Sequence, residues 1–555
     1  MSRFNTRTAR PSGISPVTTT GQTATTHEGS AGFLRDTKSE LFLLSVANLV
    51  GQDSFYETGG QRDDRYTQLV RQLAVSDPAW TAGLLGWLRG DGNMRTASLV
   101  GAAEFVRARL DATKGGSGMG GVLALSQQDE GWNRKVIDSV LQRPDEPGEL
   151  LAYWTSRYGR NLPKPVKRGI ADAIQRLYTE RALLKYDTDS KGYRFGDVLE
   201  LVHAAPATDR RWQGDLFKHA IDRRHGRDTD IPARLSTLMA RERLMATPVD
   251  QRRAVLRNHP ELLNDAGMTW EAVAGWLQGP MDAQAWEAII PSMGIMALCR
   301  NLRNFDEAGV SDEVAEQVAA KISDPEQVAR SRMFPFRFWA AYKHAPSLRW
   351  AHPLEKALSA SLSNVPALDG RTLILVDRSP SMFPGYAFST ANKSDITLAE
   401  QAAVFGAALA LRAANPTLVE FGMRSNPVPV PKGGSVLRLV EQFKMIDGTD
   451  IPSAVKAHYQ GHDRVVIVTD EQTRPGWLPS NAWGHPGSMR ETQIDDLIPR
   501  HVPVYMWNMA GYKAGAMASG SGNRHTLGGL TDSAFRLIPL LDAGRNASWP
   551  WEKRG

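Results

Sequence analysis

The chain has 555 residues, 42% hydrophobic and 23% charged, with 66 basic against 60 acidic side chains and a formal net charge of +6. That balance is ordinary for a folded globular protein and excludes a collagen-like, low-complexity or disulfide-scaffold chain. The basic excess is mild, so it permits a polyanionic partner without demanding one, and any basic site has to come from local clustering. The single cysteine, Cys299, lies in the apolar run 295–299 and reads as a packed core thiol rather than a nucleophile. No window approaches the roughly 18 apolar residues of a spanning helix, and residues 1–30 show no apolar secretory core. The expectation is a reducing, cytoplasmic compartment and no membrane.

Residues 1–31 are rich in Thr, Ser, Gly and Arg with few apolar anchors. Such a segment cannot bury enough surface to fold alone and reads as a flexible tail. Residues 32–364 are helical in pattern. Apolar residues recur at helical spacing over 40–50, 65–74, 97–109, 134–141, 167–182, 215–224, 233–245, 270–277 and 338–344. Short Gly, Pro, Asp or Asn turns separate them, and β-branched runs of strand length are nearly absent. Stacked helix pairs of this kind form an α-solenoid, although no strict sequence period runs through the region. The glycine-rich stretch 114–121 lacks the Gly-Lys-Ser/Thr closure of a phosphate loop and reads as an inter-helix connection. Lys164, Lys167 and Arg168 are spaced to share a helix face, with Arg176, Asp172 and Glu180 nearby. That face suits either phosphate contact or plain solvation.

Past residue 364 the composition changes. Predicted strands at 373–376, 418–422, 465–469 and 502–507 alternate with helices at 398–413, 436–443 and 451–457. The alternation indicates βαβ crossovers and a largely parallel, doubly wound sheet over 365–555, with 427–431 as a proline-bound edge hairpin. The run Leu373-Ile374-Leu375-Val376 has no polar alternation, as in a strand buried on both faces, and it stops at Asp377-Arg378-Ser379-Pro380-Ser381. A second such run, 464–469, stops at Asp470, and between the two lies Asp447-Gly448-Thr449-Asp450. Ligands of open α/β sheets sit at the carboxyl ends of strands. Oxygen-only donors there suit a hard divalent cation, magnesium above all. In order and placement, Asp377, Ser379, Ser381, Thr449 and Asp470 resemble the metal-ion-dependent adhesion site of von Willebrand A domains. In that arrangement one coordination position can be left for a partner's carboxylate. The bland alternative is that Asp and Ser simply populate turns after strands.

Several helical motifs are similar to the TROVE domain of the Ro autoantigen family. They are Gln52-Asp53-Ser54-Phe55-Tyr56-Glu57, Val140-Leu141-Gln142-Arg143-Pro144-Asp145-Glu146, Lys167-Arg168-Gly169-Ile170-Ala171-Asp172, Lys191-Gly192-Tyr193-Arg194-Phe195-Gly196-Asp197, Met293-Gly294-Ile295-Met296-Ala297-Leu298-Cys299-Arg300-Asn301-Leu302 and Met333-Phe334-Pro335-Phe336. In that family an A domain follows. The resemblance implies a monomeric ring of HEAT-like helices closed by the A domain. It implies a small non-coding Y-like RNA on the outer surface and single-stranded ends of misfolded RNA in the central hole. In bacteria it also implies work with an exoribonuclease, polynucleotide phosphorylase. Residues carried over for the small RNA are Lys185, Lys191 and His203, joined by Lys164, Lys167 and Arg168 of the basic face. The insertion Asp187-Thr188-Asp189-Ser190 brings two acids into this loop. Tyr186 and Tyr193 are candidates for base stacking or for packing. Arg300, Arg303 and Arg337 are candidates to line the hole.

Two other readings compete. Asp377-x-Ser379 resembles the start of an aspartyl phosphotransferase loop, but Ser stands where the second acid would carry the proton, so no catalytic residue is assigned. A protein-binding adaptor that uses the metal site, without RNA, fits the solenoid and the metal loops equally well.

Overall fold

The computed structural model describes residues 12–47, 52–115, 131–190, 192–227, 230–345, 347–363, 365–383, 396–475, 491–529 and 532–552. The chain divides into two compact units. One holds Met1–Leu69, Met333–Ala340 and Glu355–Gly555, the other Val70–Arg332 and Ala341–Leu354.

The first unit is built on a six-stranded sheet. In chain order the strands of this unit are β1 (Thr19–Thr25), β2 (Ala31–Arg35), β3 (Leu368–Asp377), β4 (Ala413–Phe421), β5 (Ser425–Val428), β6 (Arg464–Thr469), β7 (Val504–Asn508), β8 (Ala514–Gly515) and β9 (Arg524–Gly528). The large sheet runs β5-β4-β3-β6-β7-β9. All its pairs are parallel except β4 with β5, the edge hairpin expected around the prolines. Leu373 to Val376 and Val465 to Val468 are fully buried, which is why these strands carry no polar alternation. Helix Leu398–Arg412 begins on a capping box, Thr397 with Glu400, and packs on β3 and β4. Its Phe405 stacks on Trp507 of β7 with ring centroids 5.1 Å apart. From β3 the chain moves to β4 on one side and returns to β6 on the other. The crevice between the carboxyl ends of β3 and β6 is therefore the switch point where ligands of such sheets bind.

The flexible tail expected over 1–31 is corrected by the structure across its described part. β1 pairs antiparallel with β2, and β2 pairs with β8, forming a three-stranded sheet in the first unit. Ser15 N–H donates to the Gly520 carbonyl at 3.0 Å, and Ile14 N–H to Asn546 Oδ1 at 3.0 Å. Helix Thr37–Val46, capped by Asp36 on Ser39 N–H, buries most of its length. Gly511, at φ +65°, lets that helix approach, since a Cβ there would sit 2.7 Å from Leu44 Cα. The domain boundaries drawn at 31/32 and 364/365 move accordingly, because residues 32–69, 333–340 and 355–364 group with the sheet. Backbone pairing with strands hundreds of residues away supplies the order that composition alone does not suggest.

The second unit is helical. Pro78–Arg89, Arg95–Gly115, Trp132–Val140, Glu146–Tyr158, Lys164–Leu177, Glu180–Tyr186, Phe195–Val202 and Arg211–Arg224 each pack on helices close to them in chain order. Ser236–Met245, Trp270–Leu277, Ala283–Ile289, Ile295–Ala308 and Asp312–Ser323 continue the unit. Within the unit, Asn93 Nδ2 donates to the Arg332 carbonyl at 3.1 Å, so its beginning touches its end. The single helix expected over 167–182 is broken. Tyr178 is extended and stacks on Phe195, centroids 3.8 Å apart, and Thr179 caps the next helix on Ala182 N–H. Cys299 is buried, and burial pushes its thiol up to about 12, as a core residue requires. Among the described residues no helix is long and apolar enough to cross a membrane. Residues 116–121 of the glycine-rich stretch lie outside the described residues.

Candidate functional site

Asp377 closes β3, Asp470 follows β6, and the parallel register Val376↔Val468 brings the two strand ends side by side. Ser379 N–H donates to Asp377 Oδ1 at 2.9 Å, a turn that folds the next residues back over the strand end. The short 3₁₀ turn Pro380–Met382 then brings Ser381 Oγ to 3.1 Å from Ser379 Oγ. Thr449 sits one residue past Gly448, whose φ is +61° and whose added Cβ would meet Met423 Cγ at 2.5 Å. The Thr449 carbonyl accepts from Arg474 N–H at 2.9 Å, which ties the second loop to the third. Asp450 caps helix Ile451–His458 by accepting from Ser453 N–H. All five residues named from the sequence are buried: Asp377, Ser379, Ser381, Thr449 and Asp470.

Burial dominates the electrostatics of this cluster. Burial pushes the Asp377 carboxyl up to about 6, against hydrogen bonds from Ser379 and Thr469. Burial and then the neighbouring Asp377 charge push Asp470 up to about 8. Asp470 Oδ1 accepts from Gln472 N–H at 3.0 Å, while Oδ2 is buried with no partner among the described residues. An orphaned carboxylate oxygen in the interior is costly unless something positive meets it. Arg378 does not: its Nε donates to the Lys444 carbonyl at 3.0 Å and its Nη1 to the Ala399 carbonyl at 2.6 Å. Burial lowers that guanidinium to about 10. Among the described residues no three His, Cys, Asp or Glu gather into a metal cluster. Two carboxylates and three hydroxyls match the donor set of a hard cation that keeps part of its water.

Sequence reasoning missed how the third loop is held. Glu471 takes a left-handed φ of +66°, unusual for a residue with a side chain. Its Oε1 accepts from Arg35 Nη2 at 2.5 Å and from Asn508 Nδ2 at 2.8 Å, and its Oε2 from Ala516 N–H at 2.9 Å. Arg35 Nη1 donates to the Tyr512 carbonyl at 2.9 Å. Glu471 follows directly on Asp470, so its presence was legible, but its partner Arg35 lies beside the segment read as loose.

In the helical unit the basic face is real. Lys164 and Arg168 are exposed and Lys167 is half-buried, while Val166, Ile170, Ala173 and Ile174 of the same helix are buried. Gly169 lets the helix lie close on its neighbour, since a Cβ would be 2.7 Å from Arg134 O. Asp172 is taken by Arg134, at 2.5 and 2.8 Å, and Arg176 by Asp138 and the Leu141 carbonyl. Lys164, Lys167 and Arg168 have no ion-pair partner among the described residues. Lys185 is exposed at the end of the next helix, its Nζ 5.2 Å from the Tyr186 ring centre. His203 is exposed and ends helix Phe195–Val202 in a left-handed conformation, so it is not a core histidine. Lys191 lies outside the described residues. The acids of the insertion are already answered: Asp187 by Arg194 at 2.7 Å and Asp189 by the same guanidinium at 2.9 Å. Tyr193 donates to Thr155 Oγ1 at 3.0 Å and, with Tyr186, lines a cleft beside Pro144 and Glu149. Arg303 is paired with Glu307 at 2.7 Å, whereas Arg300 and Arg337 are exposed.

A family model described as the TROVE domain matches residues 222–370, a segment that begins after the candidate cations. Among solved structures the chain is similar to the Ro (RSR) protein of Deinococcus radiodurans, at 16% identity and a TM-score of 0.57. That likeness covers 92% of this chain and 99% of that one. At such identity it speaks for the fold. No curated protein matches the sequence.

Proposed function

For a chain that carries a TROVE-domain match and has the fold of a Ro protein, we propose an RNA-binding role in RNA quality control or ribonucleoprotein assembly. Small structured, Y-like RNA binds the exposed helical surface around Lys164, Lys167, Arg168, Lys185 and His203, with Lys191 as a further candidate contact. Single-stranded ends of misfolded RNA enter the opening expected of a Ro ring. The hydrogen bond from Asn93 to Arg332, which brings the two ends of the helical unit together, supports a closed course for the helices.

The observation that carries the RNA reading is the row of cations on one helix face, left without ion pairs while Asp172, Asp187 and Asp189 are held by arginines. Phosphate oxygens would replace the missing partners and give sequence-independent affinity. The test is the salt dependence of binding to a small structured RNA. Changing Lys164, Lys167 and Arg168 to Ala should lower the slope of log affinity against log salt by roughly 0.7 to 0.9 for each phosphate no longer neutralised. An unchanged slope and affinity would remove these residues from the interface.

The α/β unit would hold magnesium through Asp377, Ser379, Ser381, Thr449 and Asp470, and the orphaned Asp470 Oδ2 supports that assignment. The cation supplies positive charge to two buried carboxylates. Ser379 stands where an aspartyl phosphotransferase loop carries its second acid, which favours a scaffold over an enzyme of that kind. RNA breakdown then falls to a partner exoribonuclease such as polynucleotide phosphorylase, in the cytoplasm, with the Ro-like chain as a monomer. The same metal cluster also supports a second reading, a protein adaptor that grips an acidic partner without RNA. Ribonuclease-sensitive nucleic acid absorbance in the purified protein favours the first reading, and its absence the second.

A further inference from the structure

The metal loops are walled on one side by a segment far away in sequence. Thr26 Oγ1 donates to the Thr473 carbonyl at 2.8 Å, and His27 N–H donates to Gln472 Oε1 at 2.9 Å. Glu28 Oε2 accepts from Arg474 Nε at 2.7 Å. Three successive residues of the β1–β2 turn are thus bonded to three successive residues of the loop that starts with Asp470. Tyr56 completes the contact. Its hydroxyl donates to Glu28 Oε1 at 2.6 Å, and its ring stacks on His27 with centroids 4.7 Å apart and planes 3° from parallel. The same hydroxyl lies within the field of Asp470. Tyr512 stands edge-on to both rings, 5.3 Å from His27 and 5.6 Å from Tyr56, and it too feels Asp470.

This is more than a strap on a surface. One phenol is bonded to a carboxylate of the N-terminal segment, and that carboxylate holds an arginine of the metal loop. The path Tyr56, Glu28, Arg474 leads into the metal loops, because Arg474 N–H in turn donates to the Thr449 carbonyl. Groups that hold the loops carrying a metal's ligands set the ligands' orientation and much of the affinity. Resting on the metal reading given above, we propose that Tyr56 and Glu28 belong to the cation site as its outer wall. Binding of a divalent cation by the three loops then clasps residues 26–28 and Tyr56 onto them. This chain's own carboxylate, rather than one from another protein, stands at the outer face of the site.

The test uses the full chain and magnesium alone. Affinity is read by titration calorimetry, and order in residues 26–35 and 52–57 by amide hydrogen exchange with and without magnesium. The variants Tyr56→Phe and Glu28→Gln keep shape and remove only the hydroxyl or the charge; circular dichroism checks that they fold. Each should bind magnesium at least about tenfold more weakly than the parent. In the parent, magnesium should slow exchange in both segments, and Asp377→Ala should abolish that slowing. Suppose both variants bind with parental affinity and exchange in the two segments ignores magnesium, while Asp377→Ala still abolishes binding. The clasp is then overturned and the metal site stands. If the parent itself takes up no magnesium, the metal reading fails, and the clasp with it.

Discussion

Replacing Arg35 by Met should destabilise the α/β unit by several kcal/mol, although Arg35 touches neither a metal ligand nor the proposed RNA surface. The Arg35 and Glu471 side chains are 1% and 0% exposed, with a closest approach of 2.5 Å. At an effective dielectric near 20 and a charge separation of about 4 Å, their attraction is worth roughly 4 kcal/mol. Removing one partner of a buried pair leaves the other charge without compensation and costs about 3–5 kcal/mol. Asn508 Nδ2 and Ala516 N–H remain on Glu471 after the change, which places the expected loss at the lower end, about 3 kcal/mol. Glu471→Gln should cost a similar amount. The double variant should cost much less than the two added together, with a coupling of at least about 2 kcal/mol, because no lone charge remains. The measurement is urea unfolding of the full chain, with the α/β unit followed by hydrogen-exchange protection of β6 and β7 amides. Two units need not unfold together, so a probe confined to one unit is required. A single change costing under about 1 kcal/mol, or an additive double variant, would refute the view that this pair anchors the loop after Asp470.

Four further outcomes are expected. Gly406→Ala should cost about 1–3 kcal/mol, since its Cβ would run into Val376 Cγ2 in a packed interior; parental stability in urea would show that helix and sheet can part. Gly448→Ala should weaken magnesium binding at least about tenfold by displacing Thr449, because a side chain there is strained by φ +61° and by Met423; unchanged calorimetry would remove Thr449 from the site. His525 is fully buried, its Nδ1 3.0 Å from Ser15 Oγ, and burial pushes it down from 6.5 to about 4. Its folded value is depressed, so its contribution is present above pH 6.5 and is lost as pH falls through about 4, roughly 3 kcal/mol in all. His525→Asn should flatten the stability of the α/β unit across that window, and a curve parallel to the parent's would count against it. Cys299 should react with thiol reagents only as the helical unit opens, since burial holds its thiol near 12; fast modification of the folded chain would contradict that.

Much of the architecture was legible locally. The helical period marked most of the solenoid, and the buried apolar runs of β3 and β6, each stopping at an aspartate, located the candidate oxygen cluster by number. These are short-range regularities, set by side-chain spacing along one element. The boundary near residue 178 was not legible, because the helical apolar spacing runs on across it, whereas an N-cap at Thr179 and the stack of Tyr178 on Phe195 break the helix there. Nor could the sequence show that Arg194 takes up Asp187 and Asp189, which frees the neighbouring lysines from competing charge.

By itself the sequence determined two classes of structure, a stack of helices and a parallel sheet, and it pointed to the buried aspartates at the two adjacent strand ends. Tertiary structure alone decided that residues 12–35 are part of the sheet unit, through β2 with β8 and Arg35 with Glu471. It also decided that Glu28, bonded to Tyr56, stands against Arg474 of the loop after Asp470. The reason is physical. Backbone pairing and a buried charge pair draw on partners more than 400 positions away, and nothing in local spacing or composition records where such a partner lies.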